Sequence, residues 1–272
     1  MARRQLLIGM VGALVAATIC TGMAGPVSAT QLASSVIWSA DTSLAPAKNF
    51  GDLEQAPGTI TVATDPLNRY GASFRYETWQ NSDGTKARCE SSGLRQPNGS
   101  VVALDDSMAG QTVYLGWRAL WDPMPIQKGA WISLFQLHID GESSSQPQSG
   151  PFVLRTLGDG LLHFQLTRPN GTSTDIWTAP LSLNAWHSFV IGWKMSRTAT
   201  GASAGWVSFW YNGVEQKLTN GSMSYPAATL WGKDDHVKWG VYRSGANHTG
   251  HAVAYMNAGK LGTTYAAVAP VG

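Results

Sequence analysis

Apolar residues along most of this chain recur with a period of two, and after the first thirty or so residues no stretch carries a convincing helical stripe. Val113 to Trp121 and Trp131 to Asp140 read as strands, and Phe152–Thr156 and Leu161–Thr167 flank the turn Gly158-Asp159-Gly160. Trp186–Lys194, Trp206–Tyr211, Val237–Arg243 and Ala252–Met256 complete the clear set. Between them stand Asn98-Gly99, Asn170-Gly171, Asn212-Gly213 and Asn220-Gly221, the dipeptides that tight turns demand. Many short strands around one core predict an all-β chain: two stacked antiparallel sheets in a concanavalin-like β-jelly-roll sandwich. In such folds one sheet often curves, and its concave face accepts an extended polymer.

The ends of the chain set the domain limits. Arg3 and Arg4 precede an apolar run from Leu6 to Ile19, and Val27-Ser28-Ala29 is a small-x-small cleavage pattern. Residues 1–29 are therefore expected to be a secretory signal peptide, since the apolar run is too short to be preferred as a membrane span. Residues 30–58, rich in Ser, Ala, Thr and Pro, read as a flexible leader. Residues 59–272 read as a single sandwich domain, expected to be a secreted monomer with no membrane partner.

Removing residues 1–29 takes two arginines from the 19 Lys and Arg, leaving 17 cations against 17 Asp and Glu. A formally neutral chain argues against nucleic acid or a sulfated polyanion as partner. Cys89 would then be the single cysteine, so no intramolecular disulfide forms and the core must hold the fold. Twelve tryptophans are far more than ordinary usage. Most fit a large β core; several are expected to line a groove, where their faces stack on sugar rings.

Two strands hold polar sets opposite apolar ones. Gln136, His138 and Asp140 alternate with Phe135, Leu137 and Ile139. Lys238, Gly240 and Tyr242 alternate with Val237, Trp239, Val241 and Arg243. One core face and one wet face account for both patterns, and so does a simple solvent-exposed strand face. Gly240, between a lysine and a tyrosine, suggests a notch for a ring against the backbone. Arg118 shares a face with Tyr114 and Gly116, where it fits either a bound carboxylate or plain solvent.

Phe135-Gln136-Leu137-His138 and Lys238-Trp239-Gly240-Val241-Tyr242-Arg243 resemble paired signatures of the heparin-lyase-I-like and glucuronan-lyase-like polysaccharide lyases. Trp186-His187 and Trp210-Tyr211-Asn212-Gly213 follow in the same order. Phe74-Arg75-Tyr76-Glu77 and Arg88-Cys89-Glu90 resemble that family's Arg-x-Glu stretches. The similarity covers roughly residues 70–268. It implies a jelly roll that cuts a uronic-acid polymer by β-elimination, with His138 and Tyr242 as the proton-transferring pair. Gln136, Lys238, Arg118, Arg75 and Arg243 are then the substrate-binding candidates, while Arg75, Glu77, Arg88 and Glu90 fit a structural ion network better than contact with substrate. The neutral charge balance favours an unsulfated polyuronate such as glucuronan. No cofactor is required, although Asp140-Gly141-Glu142 or Asp234-Asp235 could hold a structural calcium ion.

Two other classes compete. One is a non-catalytic, lectin-like sandwich. The other is a retaining glycosidase, which needs two carboxyl groups about 5 to 5.5 Å apart. No Glu-x-Asp-x-x-Glu strand supplies that pair here. His248 and His251, three apart in a Gly-rich loop, are a weak zinc pattern, and the sequons at Asn98, Asn170, Asn220 and Asn247 read as turns. The exported protein is expected to begin near Thr30. Intact-mass measurement on secreted material checks this, and retention of Met1 or a lipid on Cys20 contradicts it.

Overall fold

The computed structural model describes residues 35–140, 150–168, 170–245 and 249–271. The proposed signal peptide lies outside them. Among the described residues sixteen strands form two sheets, and every pairing within them is antiparallel. In chain order they begin with β1 (Val36–Ser39), β2 (Phe50–Ala56), β3 (Gly58–Thr64), β4 (Ala72–Thr78), β5 (Ala87–Leu94) and β6 (Thr112–Trp121). The middle of the chain gives β7 (Ile132–Asp140), β8 (Phe152–Thr156), β9 (Leu161–Thr167), β10 (Ser173–Pro180) and β11 (His187–Lys194). The series ends with β12 (Trp206–Tyr211), β13 (Val214–Glu215), β14 (Tyr225–Pro226), β15 (Asp234–Arg243) and β16 (Ala252–Gly262). One sheet runs β13-β12-β11-β6-β16-β4-β3, with β1 added on β16 and β14 on β12; the other runs β10-β9-β8-β7-β15-β5-β2. Two single-turn helices, α1 (Pro46–Asn49) and α2 (Tyr265–Val268), are the only α-helices among the described residues. None of the described helices is long and apolar enough to cross a membrane.

The core between the sheets is aromatic. Trp117, Trp121, Trp193 and Trp239 are fully buried. The Trp117 ring stacks on Phe135 at 4.6 Å and on Phe189 at 5.2 Å, and Trp239 lies 5.9 Å from Trp38. Trp117 belongs to one sheet, Phe135 and Trp239 to the other, so these contacts clamp the layers together. Cys89 is also buried here, its thiol bonded to the Thr59 carbonyl at 3.0 Å and pushed by burial up to about 12, far from reactive.

Two sequence expectations change. The segment read as a flexible leader is ordered from Val36 onward. It supplies β1 on one sheet and the edge strand β2 on the other, with Trp38 and Phe50 in the core. Its low periodicity comes from its edge position, where few residues need burial. Gly240 also has a different role. It is the bulge residue where β15 slips one residue against β7, and its φ is +142°. A Cβ there would lie 2.0 Å from the Cys89 carbonyl oxygen, so the neighbouring backbone fills the space assigned to a sugar ring.

A second slip, between β7 and β8, falls between Ser133 and Phe135. Together the slips set Ser133 opposite Tyr242 and Gln136 opposite Lys238. Strict alternation from Gln136 would have brought Leu134 to that polar face instead. Gly240→Ala should therefore cost more than about 3 kcal/mol of stability, because it combines a forbidden backbone region with a steric clash. Chemical denaturation of the purified variant measures this, and failure to fold is the limiting case.

Candidate active site

The outward face of the seven-stranded sheet carries the polar residues that alternate with this core. Across it stand Glu54 of β2, Arg88 and Glu90 of β5, Lys238 and Tyr242 of β15, Ser133, Gln136 and His138 of β7, and Arg155 of β8. The pairings Tyr242–Arg88 and Lys238–Gln136 bring residues far apart in the sequence side by side. Of these residues all but Glu54 line a cleft of about 350 Å³ together with Lys86 and Trp131, and Glu54 is tied to that lining through Lys238 and Arg88. A neighbouring hollow of about 620 Å³ shares Lys86, Arg88 and Tyr242 and continues past them to Asn81 and Thr85. Tyr242 thus stands where two open spaces join. A larger, more apolar hollow of about 790 Å³ around Tyr225 and Trp231 has no histidine in its lining, which leaves the smaller cleft as the candidate for acid–base chemistry.

The charges in the cleft form one network. Lys238 donates to Glu54 Oε1 at 2.5 Å, and Arg88 donates to Glu54 Oε2. Burial pushes the Glu54 carboxyl up, but the hydrogen bonds and charges of Lys238 and Arg88 outweigh it and hold the group below the usual range. Glu90 is fully buried and accepts from Gln136 Nε2 at 2.6 Å. Burial raises it to about 7, although Lys238 and Gln136 pull the other way.

His138 has the opposite shift. Burial, then the positive charge of Lys238 and the neighbouring His236, lower it to about 4, so its ring is neutral across the physiological range. Its Nδ1 lies 2.9 Å from the Ile139 carbonyl oxygen. A carbonyl only accepts, so Nδ1 carries the hydrogen and Nε2 keeps its lone pair. Tyr242 is held by Trp131, edge-on at 5.0 Å, and by the Arg88 guanidinium 4.3 Å above its ring. The arrangement offers a neutral imidazole with a free nitrogen, a phenol and amide and cationic donors within one cleft, which is an acid–base catalyst's equipment.

His138, Tyr242, Gln136 and Lys238 come together as the sequence suggested. The other three binding candidates do not join them. Arg118 is on β6 of the opposite sheet, 7% exposed, with its guanidinium 4.0 Å over Tyr70 and bonded to the Val271 carbonyl. Arg75, on β4 of that same opposite sheet, pairs with Glu77 at 2.7 Å, and His251 bonds Glu77 at 2.8 Å. Arg243 follows Tyr242 directly, so the pleat turns it to the other face; it is fully buried and donates to the Gly250 carbonyl at 2.9 Å. The four residues weighed as one ion network are therefore split between sheets: Arg75 and Glu77 on one, Arg88 and Glu90 on the other.

Sequence reasoning missed Glu54, Ser133 and Arg155. Period-two alternation in Phe152–Thr156 would have found Arg155, which donates to Gln165 at 2.6 Å. Glu54 lay in the supposed leader, and Ser133 depends on the bulge. Of the tryptophans only Trp131 lines the cleft. Asp235 spends its carboxylate on the Trp231 and Gly232 amides, and burial raises it to about 7. Among the described residues no three His, Cys, Asp or Glu side chains gather as a metal site. Residues 141 and 142 of the Asp-Gly-Glu motif and His248 lie outside the described residues.

The fold is a two-sheet jelly-roll sandwich whose seven-stranded sheet carries a polar cleft on its outer face. The polysaccharide lyase family model matches residues 46–259, and the chain belongs to that family. It is a polysaccharide lyase. Among solved structures it is similar to an endo-β-1,4-glucuronan lyase from the fungus Trichoderma reesei, with a TM-score of 0.59 and 16% identity over 81% of this chain and 94% of that one. It is also similar to an alginate lyase from a Chlorella virus, with a TM-score of 0.53 and 12% identity over 84% of this chain and all of the other. At these identities the likeness is one of fold. No curated protein matches the sequence.

The histidine assignment gives a direct test. The His138 ring protons, followed by NMR, should titrate near pH 4, well below the ordinary midpoint of about 6.5. A midpoint at or above about 6 contradicts the desolvated setting described here.

Proposed function

We propose that this enzyme cleaves an unsulfated polyuronate such as glucuronan by β-elimination, after export from the cell. The observation that carries the reading is the junction of the two hollows at Tyr242, beside a histidine held neutral with its Nε2 free. An extended polymer lying through both hollows presents a glycosidic linkage at that junction.

β-Elimination breaks the C5–H bond beside the uronate carboxyl group and the C4–O4 bond, leaving a C4–C5 double bond. The C5 proton becomes acidic when the carboxylate charge is offset, and Gln136, Arg88 and Lys238 supply donors for that purpose. Where the proton and O4 lie on opposite faces of the ring, His138 Nε2 takes the proton and the Tyr242 hydroxyl protonates O4. Where they share a face, Tyr242 performs both transfers and His138 orients its phenol. A lectin-like role leaves the neutral His138 and its free nitrogen without a purpose, and among the described residues of the cleft the glycosidase reading finds no exposed carboxylate pair. Glu54 is committed to Lys238 and Arg88, and Glu90 is buried.

Incubation with a panel of polyuronates, read by ultraviolet absorbance of the unsaturated product, tests the activity. A clear preference for heparin over glucuronan overturns the substrate reading. His138→Ala and Tyr242→Phe should each lower turnover by at least about a hundredfold without unfolding the protein. The double variant should be barely worse than the worse single one, because the pair acts as a unit. Lys238→Ala should slow turnover as well as weaken binding, since the charge it offsets grows in the transition state. A folded Tyr242→Phe protein with near-normal elimination sinks the assignment.

A further inference from the structure

We propose that Glu54 is a specificity-determining residue: clamped between Lys238 and Arg88, it cancels one of their two positive charges and matches the cleft to a polymer bearing one carboxylate per sugar. The inference rests on the polyuronate reading above and adds the residue that enforces it.

The geometry is that of a counter-ion held in place. One Glu54 oxygen meets Lys238 at 2.5 Å and the other meets Arg88. The Lys238 side chain is 5% exposed, so it has no route into solvent and the pairing persists in the empty cleft. Arg88, at 36% exposure, keeps donors that reach into the cleft beside the Tyr242 ring. Two cations less one carboxylate leave a single positive charge on this wall, sufficient for one uronate carboxylate.

The remaining charged groups do not alter that balance at the same place. Glu90, directly opposite Glu54 on β5, is fully buried, and burial holds much of it protonated near neutral pH. Arg155 is bonded to Gln165, which in turn donates to Asp175 at 2.6 Å. Lys86 is exposed at the cleft mouth, near the rings of Trp131 and Tyr242.

A sulfated sugar brings additional negative charge to this wall. It finds both cations already paired with Glu54, so its sulfate is desolvated without a full partner. Removing Glu54 exposes a second positive charge and should open the cleft to the sulfated polymer. The selectivity is thus built by repulsion as much as by attraction.

The test is binding of a heparin oligosaccharide to wild-type enzyme, Glu54→Gln and Glu54→Gln/Arg88→Gln, by calorimetry at low and high salt. Glu54→Gln should bind about tenfold tighter than wild type at low salt, with the gain shrinking as salt screens it. The double variant restores one net positive charge and should lose the gain. Glu54→Ala removes the same charge and gives the same reading should the amide disturb folding. No gain, a gain that survives in the double variant, or a gain independent of salt overturns the proposal. Wild-type turnover on glucuronan and heparin, measured alongside, separates the two readings. A wild-type preference for heparin fails the substrate assignment, whereas a preference for glucuronan with no gain in Glu54→Gln fails the Glu54 inference alone.

Discussion

The contact of Trp239 and Phe135 with Trp117 across the sandwich is what the rest of the structure depends on. Trp239 is the inward residue of β15 between Lys238 and Gly240, and Phe135 is the inward residue of β7 beside Gln136. Burying these rings against Trp117 removes a large apolar area from water and fixes which way both pleats face. Once Trp239 points inward, Lys238 and Tyr242 point outward; once Phe135 and Leu137 point inward, Gln136 and His138 point outward. A slip of one residue would bury the charges and expose the rings, so packing energy holds the register of the polar face.

Electrostatics then follows from where that face is closed off. The floor of the cleft is dry enough to keep His138 neutral and Glu90 partly protonated, and the same dryness demands a partner for Lys238. Glu54 meets that demand from an edge strand. A buried pair of this kind adds little net stability, because desolvation offsets much of the attraction. Its consequence is a defined charge on a defined wall. Paired in this way, two cations and one carboxylate leave a local positive charge of one on that wall.

Alternation made much of this legible in the sequence. The polar sets Gln136–His138 and Lys238–Tyr242, each opposite a row of apolar residues, identified two strands of the site with the correct face. Arg118 follows the same logic and still lies elsewhere, since period two states which face a side chain takes but not which sheet its strand joins. Ser133 was hidden for a different reason: the bulge at Gly240 is a property of three strands packed together and leaves no mark in β7 itself. Arg243 adjoins a catalytic candidate, yet adjacency along a strand means the opposite face. Low periodicity between residues 30 and 58 looked like disorder, because an edge strand buries too few side chains to show a pattern.

That last segment changes how the domain is understood. Phe50 packs its ring against Phe74 at 5.1 Å and against Trp239 at 6.2 Å, so β2 is tied to the same aromatic core that orients β15. Four residues further on, Glu54 reaches the outward face and bonds Lys238 of β15 and Arg88 of β5. One short strand therefore contacts β15 from both sides, through an aromatic ring below and a carboxylate above. Loss of β2 would leave Lys238 buried without its counter-ion, a heavier penalty than the loss of the pair itself. The strand Phe50–Ala56 is thus an integral part of the sandwich and of its polar face.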